Sequence, residues 1–445
     1  MTEREILQAL RSNEPFKGLS NVRVANLVEQ PEAKQGRFDA KFDLQFGNTK
    51  VEVYVEVKSA YTPKQVEQIA PWLSQMKNMQ KGAAFALVCP AISPQSQRLC
   101  FERNVDFIDL AGNVFINVPG KLLLQRVGME PRKETSPSFY RNPFSGKSSR
   151  ILRVLLQKPN ELTPSDMRPV DVFLTDRAML QKPKAWTLSE ITEELAKETS
   201  RAECAGVSFE VSFSLASRVL RSLEEELLVR RKPTPFDPDQ AVSERSLEEG
   251  RLVMRGNPVL VPEPRRLLTM WAQEYKDRYR LYLRRSFKIP NPFGPDLKAV
   301  RKALDGLLKP GCYAFTGAAA ASVTAPFVDV DPIDLYISDQ AGAESLRASI
   351  PRTVLGAEWR GGVPPPQWAS RWEVPSGKQE ASIGPDLRVI YAFDDGVFMY
   401  SSLKDAIPVV SDIQAYLDLF ARGGRDLKQA DYLLQTRIEP MWGSR

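Results

Sequence analysis

The hydrophobic pattern changes period several times along the first 127 residues. In MTEREILQALRS, Ile6, Leu7 and Leu10 recur at the spacing of an amphipathic helix. Strand-like runs follow at 22–27, 38–46 and 50–58, and Gly47-Asn48 between the last two favours a tight hairpin turn. Residues 63–79 read as helix, 84–89 as strand, 93–103 as helix, and 105–109 and 113–118 as closing strands. This alternation predicts a mixed sheet with helices packed on it over 1–127. Residues 128–146 are rich in Pro, Ser and charge and read as a linker. A mostly helical unit ending in short strands is expected over 147–262, with 158–184 as an irregular insertion. A third unit, 263–445, opens with a basic helix over 263–288 and closes with two helices divided by Gly423-Gly424.

Composition narrows the chemistry. With 445 residues the chain is too long for one core. It contains no histidine, which excludes Ser-His-Asp and Cys-His catalysis, His-ligated zinc and a His general base. Chemistry here must run on carboxylates, lysine, hydroxyls and a bound metal. Cys89, Cys100, Cys204 and Cys312 fit no zinc spacing and are too few for a disulfide scaffold, so a reducing cytoplasm is the expected location. No apolar run approaches the roughly 18 residues of a membrane span, and the charged N-terminal helix is unlike a signal peptide. The net charge of +6 permits a polyanionic partner.

One constellation points to metal-assisted phosphodiester chemistry. Asp39 starts one strand of the hairpin, and the next strand ends in Glu56-Val57-Lys58, with Glu56 and Lys58 on one face. Two carboxylates and a lysine at the ends of adjacent strands is the layout of PD-(D/E)xK nucleases, a restriction-endonuclease-like fold. Asp39 and Glu56 are the candidate Mg²⁺ ligands. Lys58 would position the attacking water or stabilise developing charge. Gln65 and Gln68 on the following helix are candidate supporting residues. The plainer alternative is a solvated sheet face, since Glu52, Glu56 and Lys58 share one parity and Val51, Val53, Val55 and Val57 form the buried stripe.

A second constellation points to DNA. Ile151, Val154 and Leu155 mark one helix, and Thr187-Leu188-Ser189-Glu190 is a capping box opening another. Residues 212–229 form a third, with Ala216, Val219, Leu220, Leu223 and Leu227 on its apolar face. Ser214, Ser217, Arg218 and Arg221 recur on the opposite face, placing hydroxyls and guanidinium groups where a major-groove reader needs them. Arg230, Arg231 and Lys232 follow where a wing would start, and 251–255 is the expected return strand. The helix order, capping box and basic wing predict a winged helix-turn-helix that binds double-stranded DNA; the alternative is a solvated helix face.

The basic helix carries Leu268, Trp271, Tyr275, Tyr279 and Tyr282 at helical spacing, a packing face bordered by cations; phosphate tracking is the second reading. Farther on, Thr316-Gly317-Ala318 precedes Asp329, Asp331 and Asp334 in the manner of a nucleotidyltransferase. Ala318 stands where that fold carries Ser, and Tyr336 where it carries a second carboxylate. A nucleotidyltransferase-like α/β scaffold without transfer chemistry is expected.

Several segments together resemble one family. PAISPQSQRLCFERNVDFIDLAGNVFIN at 90–117, with Asp109 and Ala111-Gly112-Asn113, resembles the conserved block of AbiEi-type antitoxins, transcriptional regulators of type IV toxin–antitoxin systems. FDAKFDLQFGNTKVEVYVEVKS, with Asp39, Glu56 and Lys58, resembles the hairpin of members with a nuclease-like N-terminal domain. The segment from Trp186 through Val229 is similar to the family's winged helix, and Ser411-Asp412, Gln414, Tyr416 to Leu419 and Arg425 to its closing helices. The resemblance implies DNA binding and transcriptional control, with a nucleotidyltransferase toxin as possible partner; a Mg²⁺-dependent nuclease is the alternative. The oligomeric state is left open.

Overall fold

The computed structural model describes residues 1–30, 38–129, 142–157, 186–201, 207–231, 259–284, 286–289, 291, 293–309, 311–338 and 385–442, and the backbone of 32–33 and 36–37. The chain divides into two compact units, Met1–Arg141 with Arg221–Leu227, and Asn142–Leu220 with Leu228–Arg445.

The first unit starts with α1 (Glu3–Arg11), whose first turn is closed by a capping box between Thr2 and Glu5. Strands β1 (Val22–Glu29), β2 (Ala40–Phe46) and β3 (Thr49–Val57) form an antiparallel meander. Helix α2 (Pro63–Met79) carries the chain to β4 (Ala83–Cys89), which runs parallel to β3. Helix α3 (Pro94–Glu102) leads to β5 (Asp106–Asp109), parallel to β4, and β6 (Val114–Val118) and β7 (Leu122–Arg126) return antiparallel. All seven strands lie in sequence order in one sheet. The meander, its turn at Gly47-Asn48 and the two crossovers match the pattern of the sequence; β7 lay outside it.

Both faces of this sheet are covered. Ile6, Leu7 and Leu10 of α1 pack on Val51, Val53, Val55 and Val57. On the other face, Phe38, Tyr54 and Phe85 pack with Val66, Leu73 and Met76 of α2. Each such side chain contributes roughly 1.5–3 kcal/mol on burial. The expectation of a polar face along β3 therefore needs correction: Tyr54 shares parity with Glu52 and Glu56 and is buried. Only the ends of that face reach the rim.

In the second unit, α4 (Lys147–Gln157), α5 (Leu188–Arg201) and α6 (Phe213–Glu225, its residues from Arg221 on counted with the first unit) precede a short antiparallel pair, β8 (Arg230–Arg231) and β9 (Val259–Leu260). Trp186 bridges to Val259 from the other side. The Thr187–Glu190 capping box forms as expected. Helix α4 is more than amphipathic, because Ser149 through Leu156 are all buried. Of its two arginines, Arg150 meets Asp394 at 3.3 Å, and Arg153 donates through Nη2 to Gln414 at 2.6 Å and lies over the Trp271 ring, while its buried Nε and Nη1 have no hydrogen-bond partner among the described residues.

Next come α7 (Pro264–Leu283) and a sheet containing β10 (Ser286–Ile289), β11 (Tyr313–Thr316), β12 (Ile333–Ile337), β13 (Leu387–Tyr391), β14 (Ser402–Lys404) and β15 (Ile407–Val409). Its order is β10-β13-β12-β11-β15-β14. Helices α8 (Leu297–Asp305), α9 (Gly317–Thr324), α10 (Asp412–Arg422) and α11 (Arg425–Leu433) complete the unit. Gly423 and Gly424 break α10 from α11 at φ values of 70° and 60°, as their sequence position suggests.

Candidate functional site

The first candidate site lies where β2 begins and β3 ends. Asp39 sits one residue before β2, beyond the Ala40–Val55 pair, instead of inside the strand as expected. Its backbone N–H donates to the Val55 carbonyl, and its Oδ2 accepts from Val57 N–H at 2.7 Å. The carboxylate is thus fixed beside the last turns of β3. Glu56 is half-buried, and Lys58 Nζ stands 3.7 Å from its Oε1. Burial, then the nearby Asp39 charge, pushes the Glu56 carboxyl above the ordinary carboxylate range, and Glu3 of α1 adds to the same field.

Two further residues shape this corner. Tyr61 donates to the Glu56 carbonyl at 2.9 Å, and its ring lies 5.5 Å from Lys58 Nζ. The sequence pattern did not single out Tyr61 or Glu3, because neither belongs to the short ExK motif. Gln65 is committed to the α2 cap, accepting from Thr62 N–H, and Gln68 is exposed. Among the described residues no three Asp, Glu, Cys or His side chains gather to cage a metal ion. A cation here would rest on two carboxylates and water, which suits Mg²⁺.

The second candidate site is the outer face of α6. Ala216, Val219, Leu220 and Leu223 are buried, while Ser214, Arg218 and Arg221 are exposed and Ser217 is half-buried. The helix starts after Ser212, which accepts from Leu215 N–H, and stops at Glu225. It is shorter than the 212–229 expected, since Leu227 adopts a left-handed φ of 56°. Arg218 folds back toward the Ser214 carbonyl at 3.2 Å, and neither Arg218 nor Arg221 has an acidic partner among the described residues. Phe213, 56% exposed at the first turn, borders this face and was missed by a reading tuned to polar groups. Arg230 is exposed on β8 and Arg231 half-buried. Lys232 and 251–255 lie outside the described residues; the strand observed to pair with Arg230–Arg231 is Val259–Leu260.

The acidic strand of the second unit is built differently. Asp334 of β12 accepts two hydrogen bonds from Arg388, at 2.7 and 2.9 Å, and one from Arg422 at 2.5 Å. Tyr336 donates to Asp418, which also accepts from Tyr275, Thr316 and Gln414. Asp418 is fully buried, and burial raises its carboxyl against these hydrogen bonds. The residues matched to closing helices, Gln414 and Asp418, are therefore centres of a buried polar network.

Asp109, the core of the 90–117 block, is likewise structural. Its carboxylate accepts from Ile92, Gly112 and Asn113 backbone N–H groups and from the Asn113 amide. Gly112 has φ +106°, with Arg126 donating to its carbonyl and to that of Pro15.

Among the described residues no helix is long and apolar enough to cross a membrane. No family model and no curated protein matches the chain. Among solved structures it is similar to a repair endonuclease from Pyrococcus abyssi, at 14% identity over 24% of this chain and 47% of that one, with a TM-score of 0.19. EndoMS in its apo form matches with 14% identity over 24% and 46% of the two chains and a TM-score of 0.19. A complex of EndoMS with double-stranded DNA gives 14%, 23% and 43%, with a TM-score of 0.18. This chain spans about half the length of each of these proteins.

Proposed function

We propose that this chain is a duplex-DNA-binding transcriptional regulator of the AbiEi antitoxin type, reading the major groove with α6 of a winged helix. The observation that carries the reading is α6 itself. Its inner face is locked by four buried apolar residues, and its outer face offers Ser214, Ser217, Arg218 and Arg221. Two guanidinium groups without acidic partners among the described residues are available for guanine edges or phosphates. The order α4, Trp186 bridge, α5, α6, β8, β9 supports a winged-helix reading, in which Arg230, exposed on β8, would stand on the wing. The antitoxin half of the reading rests on the resemblance at 90–117 and implies a nucleotidyltransferase toxin as partner. Duplexes selected from a random-sequence pool test the DNA half by anisotropy. Arg218→Ala with Arg221→Ala should lose about 1–3 kcal/mol for each base-reading contact. Unchanged affinity in the folded double variant removes α6 from the interface.

The corner at Asp39, Glu56 and Lys58 supports a second reading, a metal-dependent nuclease. Asp39 and Glu56 would hold Mg²⁺, which when bound acidifies water and offsets charge on the cleaved phosphate. Asp39 would keep one carboxylate oxygen for this role, its other being held by Val57 N–H. Lys58, steered by Glu56 and the Tyr61 ring, would orient the attacking water or the scissile phosphate. Plasmid cleavage in Mg²⁺ or Mn²⁺, abolished by Lys58→Ala with DNA affinity retained, is the expected result. Cleavage that survives Lys58→Ala points to a contaminant or another site.

A further inference from the structure

Helix α7 is fixed along one side. Leu267, Leu268, Trp271, Ala272, Tyr275 and Tyr279 are buried, and the Tyr275 hydroxyl donates to Asp418 at 2.6 Å. On its other side Lys276, Arg280 and Arg284 are exposed at intervals of four residues, and Lys288 is exposed on the edge strand β10 that follows. None of these four has an ion pair among the described residues, whereas Arg265 and Arg266 of the first turn are paired with Glu439 and Glu263. Of the acidic neighbours, Glu274 accepts from Asn142, and Asp277 lies at the border of the series.

Like charges four residues apart on a helix repel, so the series works against the fold that displays it. The helix C-terminus offsets this for Arg280 and Arg284, but Lys276 lies too far from the end to benefit. Between Lys276 and Arg284 no base-reading amide or small hydroxyl interrupts the cations, Gln273 being exposed one turn before them; cations held in a row on a rigid element suit a regular line of phosphates better than base edges.

We infer that Lys276, Arg280 and Arg284, with Lys288, bind backbone phosphates of duplex DNA, giving the protein a sequence-independent contact. The inference rests on the DNA-binding reading, but not on α6 being the reader.

The test compares the full chain with a Lys276→Gln, Arg280→Gln, Arg284→Gln variant on a selected duplex and on its scrambled counterpart, over a series of salt concentrations. Loss of three phosphate contacts should flatten the slope of log K against log salt by about 2.7, since each contributes about 0.9. Affinity should fall on both duplexes alike, leaving their ratio unchanged. The charge-keeping variant Lys276→Arg, Arg280→Lys, Arg284→Lys should retain the parent slope, and equal melting temperatures exclude misfolding. An unaltered slope in the Gln variant, as an acidic protein partner would produce, overturns the inference. So does a loss confined to the selected duplex, which would mean base reading. If the Gln variant flattens the slope while Arg218→Ala with Arg221→Ala changes nothing, α6 fails as reader and the phosphate surface stands. If the parent binds no duplex, both fall together.

Discussion

The carboxylates of the two units differ in how far the protein itself has neutralised them. Glu56 keeps 24% of its side chain exposed and has one lysine at 3.7 Å. Asp334 is 1% exposed and is gripped by Arg388 and Arg422. Glu56 stands on a strand that reads in sequence as metal-binding, Asp334 on one that reads as a nucleotidyltransferase-like scaffold without transfer chemistry. A carboxylate already saturated by guanidinium groups has little to offer a cation, because displacing those groups would strand buried charge. Asp334 is thus a structural anion, whereas the Asp39–Glu56 corner retains uncompensated negative charge that a cation would relieve. Asp109 is a third case, saturated by backbone amides in place of arginine.

The comparison can be broken by substitution. The largest effect is expected from Arg388→Ala, which leaves Asp334 with Arg422 alone. The loss should be about 3 kcal/mol, the lower end for breaking a buried pair, measured by urea denaturation. Replacing Asp334 and Arg388 together with apolar residues of similar size should restore most of it. An Arg388→Ala protein as stable as the parent would show that Asp334 is not a closed site.

Gly112→Val comes next, at about 2 kcal/mol, because a branched residue is strained at φ +106°. A Cβ there would also stand 2.8 Å from Arg126 Nη2. A melting temperature equal to the parent's would mean that the Asp109 turn tolerates a side chain.

Asp43→Asn should cost about 1 kcal/mol at neutral pH. Burial pushes this carboxyl up, but the hydrogen bonds from Asn26 and Lys50 outweigh it and hold it below the usual range. Its contribution is therefore present above the unfolded carboxylate pKa and fades as pH falls through the lower folded value. The gap between parent and variant should close toward acid pH; a gap independent of pH would contradict this.

The smallest effect is expected at the open corner. Burial and Asp39 raise the Glu56 carboxyl, so its ionisation weighs against the folded state as pH rises. Glu56→Gln should be neutral or stabilising by less than about 1 kcal/mol at pH 8, with no difference in acid. Mg²⁺ should raise the melting temperature of the parent and not of this variant. A cation shift of equal size in both would place the ion elsewhere.

Periodicity carried the main strand–helix order of the first 118 residues and the apolar face of α6, and local motifs carried the capped start of α5 and the glycine break between α10 and α11. These are local properties, set by neighbours within a turn or a hairpin. The residue types Asp39, Glu56 and Lys58 were equally legible, and so was the serine–arginine face. What alternation could not decide was which surface another element covers. Tyr54 and Glu56 share parity on β3, yet α2 buries one and leaves the other at the rim. Arg153, an unremarkable cation in an amphipathic helix, became a buried donor to Gln414 because α10 lies far along the chain. Asp334 stood in sequence only as part of a nucleotidyltransferase-like pattern without transfer chemistry, and its two partners, Arg388 and Arg422, are distant in sequence. Charge neutralisation depends on distance in space, and only the tertiary structure sets that distance.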